Sequence, residues 1–126
     1  MKMLNILLVD DDEWLADLYA QILEKEYSAT VHRAASAQIV LDVCDEFTID
    51  LIILDFFLPK HNALSILYEL QSHEDLAQIP VIILSSIELG GFSKQLRELN
   101  VSEVFEKSKF PPTVFSKSIK SIMEKL

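Results

Sequence analysis

The sequence predicts an α/β domain built on a doubly wound, five-stranded parallel sheet, and three observations lead there. Short, wholly apolar runs recur along the chain, at Ile6-Leu7-Leu8-Val9, Leu51-Ile52-Ile53-Leu54 and Val81-Ile82-Ile83-Leu84. Runs of this kind read as strands buried on both faces of a parallel sheet. Amphipathic stretches of helical spacing alternate with them, which is the pattern of repeated βα units. Each strand-like run also ends on a residue able to do chemistry: Asp10-Asp11-Asp12, Asp55, Ser85 and, after Val104-Phe105-Glu106, Lys107.

The first strand is predicted over Asn5 to Asp10. A helix follows from Glu13 to Glu26, where Leu15, Leu18, Tyr19, Ile22 and Leu23 fall at helical spacing. Ser28 to Ala34 reads as the second strand, supported by the β-branched pair Thr30 and Val31. The second helix spans Ala37 to Glu46, with Ile39, Val40, Val43 and Cys44 on its apolar side. Leu51 to Leu54 is the third strand and Ala63 to Ser72 the third helix, packing through Leu64, Leu67, Tyr68 and Leu70. Pro80 stands at the entry to the fourth strand, a position where proline is tolerated. The adjacent glycines Gly90 and Gly91 break the chain before a short fourth helix, Phe92 to Leu99. Val104 to Glu106 is the last strand. Pro112 suits the first turn of a final helix lined by Phe115, Ile119, Ile122 and Leu126.

At 126 residues the chain reads as a single domain, 1–126, long enough to bury a core. Its formal charge of −9 argues against direct nucleic-acid binding, which relies on lysine and arginine neutralising phosphates. No apolar run approaches the roughly 20 residues needed to cross a bilayer, and the first residues do not resemble a signal peptide. A single cysteine, Cys44, excludes an internal disulfide and suits a reducing cytoplasm. It reads as a plain buried thiol. The histidines His32, His61 and His73 read as surface residues.

In an open α/β sheet the ligand crevice lies outside the carboxyl ends of the strands. Asp10, Asp11, Asp55, Ser85 and Lys107 are therefore expected to gather at one edge, although they are far apart in sequence. Clustered carboxylates suit a hard divalent cation such as Mg²⁺, which also offsets their mutual repulsion. A carboxylate beside such a cation can act as a nucleophile towards phosphorus, with a hydroxyl and an ammonium holding the remaining oxygens. The bland readings are that Asp12 caps a helix, Asp55 belongs to a turn before Pro59, and Ser85 and Lys107 are ordinary polar residues. The order in which the set occurs carries the functional reading.

These residues make the chain resemble the receiver domains of two-component response regulators, over essentially its whole length. The motifs are Ile6-Leu7-Leu8-Val9-Asp10-Asp11-Asp12, Asp55-Phe56-Phe57-Leu58-Pro59, Pro80-Val81-Ile82-Ile83-Leu84-Ser85-Ser86, and Lys107. The resemblance implies a flavodoxin-like (βα)5 fold with Asp55 as phosphoacceptor. It implies Mg²⁺ held by Asp10, Asp11, Asp55 and the backbone carbonyl of Phe57. It further implies that Ser85 and Lys107 contact the phosphoryl group, that a histidine kinase or phosphotransfer protein supplies it, and that a downstream protein target reads it through the last helix and strand. Self-dephosphorylation is the one catalytic activity implied. The alternative is a pseudo-receiver that binds a partner without phosphorylation. An aspartyl-nucleophile phosphatase of the haloacid dehalogenase kind fits poorly, because Phe57 stands where that pattern has a second acid.

The departures from the family pattern are informative. Ser108 replaces the usual proline after the lysine, so the Lys107-Ser108 bond is expected to be trans; a cis bond there costs about 2.5–4 kcal/mol. Ala63 replaces a glycine, so that turn is expected to avoid positive φ. Val104 replaces the usual aromatic switch residue, which implies an altered output switch. Phe57 and Ile87, both apolar, flank the expected phosphoryl position, which implies slow attack by water.

Overall fold

The computed structural model describes residues 3–58, 61–107 and 114–125. Strand β1 (Asn5–Val9) leads through α1 (Glu13–Tyr27) to β2 (Thr30–Ala34), and α2 (Ala37–Glu46) leads to β3 (Leu51–Asp55). A small antiparallel pair, β4 (Phe57–Leu58) and β5 (His61–Asn62), precedes α3 (Ala63–Gln71). Then come β6 (Val81–Ser85), α4 (Ser93–Glu98), β7 (Val101–Glu106) and α5 (Val114–Glu124).

The main sheet runs β2-β1-β3-β6-β7, all parallel, so the strand order reverses between β1 and β3. That reversal places the crevice of a doubly wound sheet between the carboxyl ends of these two strands. The five-stranded parallel sheet expected from the apolar runs is present, and so is the flavodoxin-like (βα)5 fold that the resemblance implies.

Alternation along each strand sorts side chains to the two faces. Leu7, Val9, Ile52, Leu54 and Ile83 pack with Val40 of α2, Ile66, Leu67 and Leu70 of α3, and Leu96 of α4. Ile6, Leu8, Leu51, Ile53, Ile82 and Leu84 pack on the other face with Ala16, Tyr19, Ala20 and Leu23 of α1 and Ile119 of α5. Every residue of β3 and β6 is buried. Full burial of one such aliphatic side chain contributes about 1.5–3 kcal/mol.

Helix starts follow local chemistry. The Asp12 carboxylate accepts the Leu15 N–H at 3.1 Å, so Asp12 does cap α1. Ser36 and Asn62 cap α2 and α3 in the same way. Some boundaries differ from expectation. Ser28 adopts φ 52° and closes α1 instead of opening β2. The last strand begins at Val101, three residues early, because an edge strand with exposed Ser102, Glu103 and Val104 presents no apolar run to read. A single-turn 3₁₀ segment, Gly90–Phe92, precedes α4. On α1 the buried stripe is Ala16, Tyr19, Ala20 and Leu23, whereas Leu18 is exposed. Ile39 and Tyr68 are likewise exposed.

Ala63 opens α3, and positive φ among described non-glycine residues is confined to Ser28 and Asn100, so Ala63 avoids it as expected. His73 is exposed, but His32 is half-buried and stacks on Phe47 with ring centroids 4.2 Å apart. The Lys107-Ser108 bond, Pro59, Pro112, Leu126 and the side chains of His61 and Phe115 lie outside the described residues. No helix among the described residues is long and apolar enough to cross a membrane.

Candidate functional site

β1 and β3 deliver their acids to one place because they are neighbours in register, with Val9 opposite Leu54. Asp10 follows the end of β1 and Asp55 ends β3, so both carboxylates emerge at the same edge of the sheet. Asp10 and Asp55 are buried, while Asp11 is exposed. One carboxylate oxygen from each of Asp10, Asp11 and Asp55 can be chosen so that all three lie within 4.8 Å of one another.

Each buried acid is held by a backbone N–H on one oxygen and by the same ammonium on the other. Asp10 Oδ1 accepts from the Asp12 N–H at 2.9 Å, and Asp55 Oδ1 accepts from the Phe57 N–H at 3.3 Å. Lys107 Nζ donates to Asp10 Oδ2 at 3.2 Å and to Asp55 Oδ2 at 3.0 Å. Lys107 reaches this point because its own N–H donates to the Ser85 carbonyl at 2.7 Å, extending the β6–β7 ladder to the strand ends.

Burial drives the electrostatics. Burial raises the Asp55 carboxyl above its ordinary value; the Lys107 hydrogen bond and charge oppose this, and the Asp10 charge adds to it. For Lys107 burial is the largest single influence and pulls downward, but the hydrogen bonds and charges of Asp55 and Asp10 together carry the ammonium above its ordinary value. The site therefore favours a charged lysine shared between two acids.

Ser85 is fully buried and occupies the end of β6 beside Asp55's strand. Its hydroxyl donates to the Ile87 carbonyl at 2.7 Å and accepts the Ile87 N–H at 3.1 Å. The residue stands where expected, but its hydroxyl is engaged with the following loop. Phe57 and Ile87 are both exposed, at 47% and 53%, and Val104 at 41%.

Oxygen donors from three carboxylates, two of them buried, fit a hard divalent cation such as Mg²⁺. Lys107 already offsets part of the negative charge, so the cluster folds as an assembled acid site.

The chain matches the family model described as the response regulator receiver domain over residues 6–117. The chain belongs to the response-regulator receiver family. It is 32% identical over 96 residues to the transcriptional regulatory protein MalR of Bacillus subtilis, covering 75% of this chain and 40% of that relative. It is 29% identical over 94 residues to the polar-differentiation response regulator DivK of Brucella ovis, covering 75% of this chain and 76% of the relative. The chain thus spans well under half of MalR and about three quarters of DivK. Among solved structures, the Vibrio cholerae chemotaxis protein CheY4 superposes with a TM-score of 0.86 at 17% identity, covering 96% of this chain and 99% of that one. The receiver domain of a DNA-binding response regulator from Colwellia psychrerythraea gives 0.87 at 24% identity, covering 96% and 98%. At these identities the likeness concerns the fold.

Two features of this receiver's site lay beyond sequence reasoning. Tyr19 read only as a packing residue of the first helix, yet its hydroxyl sits in the field of the site. Burial raises its pKa, with Lys107 opposing and Asp10 and Asp55 reinforcing. The Ser85–Ile87 clasp was equally hidden, since nothing in a serine's identity announces which backbone groups it will find.

Proposed function

We propose that this receiver is a phosphoacceptor for two-component signalling, a single domain over residues 1–126 that takes a phosphoryl group on Asp55. The observation that carries this reading is the Lys107 ammonium shared between Asp10 and Asp55, with an Asp11 oxygen within reach. A histidine kinase or phosphotransfer protein is the donor. An Asp55 carboxylate oxygen bonds to phosphorus as the bond from phosphorus to the donor's imidazole nitrogen breaks. The nitrogen keeps the electron pair. Asp10, Asp11, Asp55 and the Phe57 carbonyl are the proposed ligands of Mg²⁺, which when bound supplies positive charge to the acids and to the transferring phosphoryl oxygens.

Lys107, already at Asp55, exchanges part of that contact for a phosphoryl oxygen. Ser85 must leave the Ile87 clasp before its hydroxyl can do the same. The apolar side chains of Phe57 and Ile87 offer no acid or base to activate water, so the phosphoryl group is long-lived and self-dephosphorylation slow. Output passes by contact to a downstream protein target in the cytoplasm, with no direct role for nucleic acid. Val104 lacks the ring of the usual switch residue, so output is relayed differently from the common pattern.

A second reading, the pseudo-receiver, is favoured by the occupied Ser85 hydroxyl and by Val104. Acetyl phosphate with Mg²⁺, followed by intact mass measurement, separates the two. Phosphorylation adds one phosphoryl mass to the parent and none to Asp55→Ala, and the adduct persists after the donor is removed. An unchanged parent mass leaves the pseudo-receiver; rapid loss of the adduct overturns the slow-hydrolysis expectation.

A further inference from the structure

The three acids at the rim are not held alike. The carboxylates of Asp10 and Asp55 each accept a backbone N–H and the Lys107 ammonium. Asp11 is exposed, and among the described residues its carboxylate has no hydrogen-bond or ion-pair partner. The placing of its oxygens therefore depends on the backbone of the turn that leads from β1 into α1.

That turn is tied to the end of β2. The Asp10 N–H donates to the Ala34 carbonyl at 3.2 Å. Arg33, one residue earlier on β2, stands opposite Leu8 in the β1–β2 register, and Leu8 belongs to the face that packs on α1. Residues opposite one another on neighbouring strands project to the same face, so the guanidinium is directed at α1. It grips the start of that helix at two points. Nη1 donates to the Asp17 carboxylate, and Nη2 donates to the Glu13 carbonyl at 3.4 Å. Glu13 is only two residues beyond Asp11, and Arg33, Glu13 and Asp17 line one cleft with Asp10 and Asp11.

We propose, resting on the Mg²⁺ site put forward above, that Arg33 is a positioning residue for that site: by clamping the start of α1 to the end of β2 it holds Asp11 within ligand reach of Asp10 and Asp55. A planar, multidentate guanidinium makes both contacts at once, whereas a lysine ammonium is a single point on a flexible stem. The clamp contributes little to the stability of the fold, because both partners of the Arg33–Asp17 pair are exposed and such pairs are weak. Its leverage is in placement, as groups behind metal ligands govern affinity by orienting them. Charge alone predicts the opposite sign. The cleft is lined by Asp10, Asp11, Glu13 and Asp17, and the cation among its lining residues is Arg33. Removing that cation makes the cleft more negative, which by itself draws Mg²⁺ in more tightly.

The test titrates Mg²⁺ into the ¹⁵N-labelled full chain, with no phosphodonor present, for the parent, Arg33→Ala, Arg33→Lys and Glu69→Gln. Arg33→Ala should bind Mg²⁺ about tenfold more weakly, with a urea midpoint close to that of the parent. Arg33→Lys, which keeps the charge without the fork, should recover part of the loss. Glu69→Gln, which removes an exposed ion pair with His73 on α3, should bind as the parent does. In metal-free samples, ¹⁵N relaxation should show added motion at the Asp11 and Asp12 amides of Arg33→Ala and none at Asp55. With acetyl phosphate, the Mg²⁺ concentration giving half the maximal rate of uptake should rise by the same factor, while the rate at saturating Mg²⁺ stays near that of the parent. Unchanged or tighter Mg²⁺ binding by Arg33→Ala, parent-like relaxation at Asp11, or a collapsed urea midpoint would each overturn the proposal. Failure of the parent itself to bind Mg²⁺ would instead sink the cation-site reading, and the metal-free relaxation of Asp11 would still judge the clamp.

Discussion

Two groups at the carboxyl edge of this sheet were equally expected at the site, and they arrive in different conditions. Asp10, Asp55 and Lys107 come from three different strand ends and are in direct contact. Ser85, on the strand between Asp55 and Lys107, is turned to its own loop, its hydroxyl donating to the Ile87 carbonyl and accepting from the Ile87 N–H. The difference is one of alternatives. A buried carboxylate with no counter-ion costs several kcal/mol, so folding brings the ammonium to it. A buried hydroxyl is content with two backbone groups two residues away. Charge assembles a site at long range, whereas hydrogen bonding of a small hydroxyl is settled locally.

The largest expected effect comes from removing the shared cation. Lys107→Ala should lower stability by about 2–4 kcal/mol in metal-free buffer at neutral pH, read by urea denaturation. The deficit should shrink when Mg²⁺ is added. It should also shrink as pH falls through the carboxylate range, because protonating Asp55, whose pKa is already raised by burial, removes the repulsion that the lysine offset. A loss under about 0.5 kcal/mol would mean that the charges are not what holds this edge together.

Ser85→Ala should have a smaller effect on stability, about 1 kcal/mol, since the freed Ile87 groups lie in an exposed loop where water can replace the hydroxyl. Its effect on acetyl phosphate uptake should be a slowing of roughly tenfold or more, with Asp55 still modified. Unchanged uptake would show that the serine never leaves its clasp, and so would separate the two groups more sharply than the geometry does.

Cys44 supplies the contrast of a partly buried acid for which no cation is among the causes of its shift. Half-buried on α2, its thiol is pushed up to about 11 by burial first and then by Asp45 and Asp75. At pH 8 the thiolate is correspondingly scarce, and its higher intrinsic nucleophilicity offsets only part of that, so alkylation should run roughly tenfold or more slower than for an ordinary free thiol. The rate should climb as pH rises towards 11. Fast labelling at pH 8 would show that burial and the two neighbouring acids do not hold this thiol protonated.

Most of the sheet was legible in the residues because its central strands are buried on both faces and so must be apolar throughout. The same logic failed at the edge: β7 begins at Val101, and its exposed Ser102 and Glu103 look like loop. The pair β4 and β5 left no signal either, being two residues each. Site residues were readable as types at strand ends, since topology alone carries a strand end to the crevice. Their hydrogen-bond partners were not, because a partner depends on rotamer and register.

By itself the sequence determined the parallel order of apolar strands and the gathering of Asp10, Asp11, Asp55, Ser85 and Lys107 at one rim. Periodicity and burial are properties of local pattern, and a chain that must hide those runs has few ways to do so. Only the tertiary structure decided that Lys107 bridges Asp10 and Asp55, that Ser85 faces Ile87, and that the Phe56 ring packs against both Phe57 and Phe92. Those outcomes turn on contacts between residues distant in sequence, where a difference of an ångström selects one partner over another and no one-dimensional spacing records it.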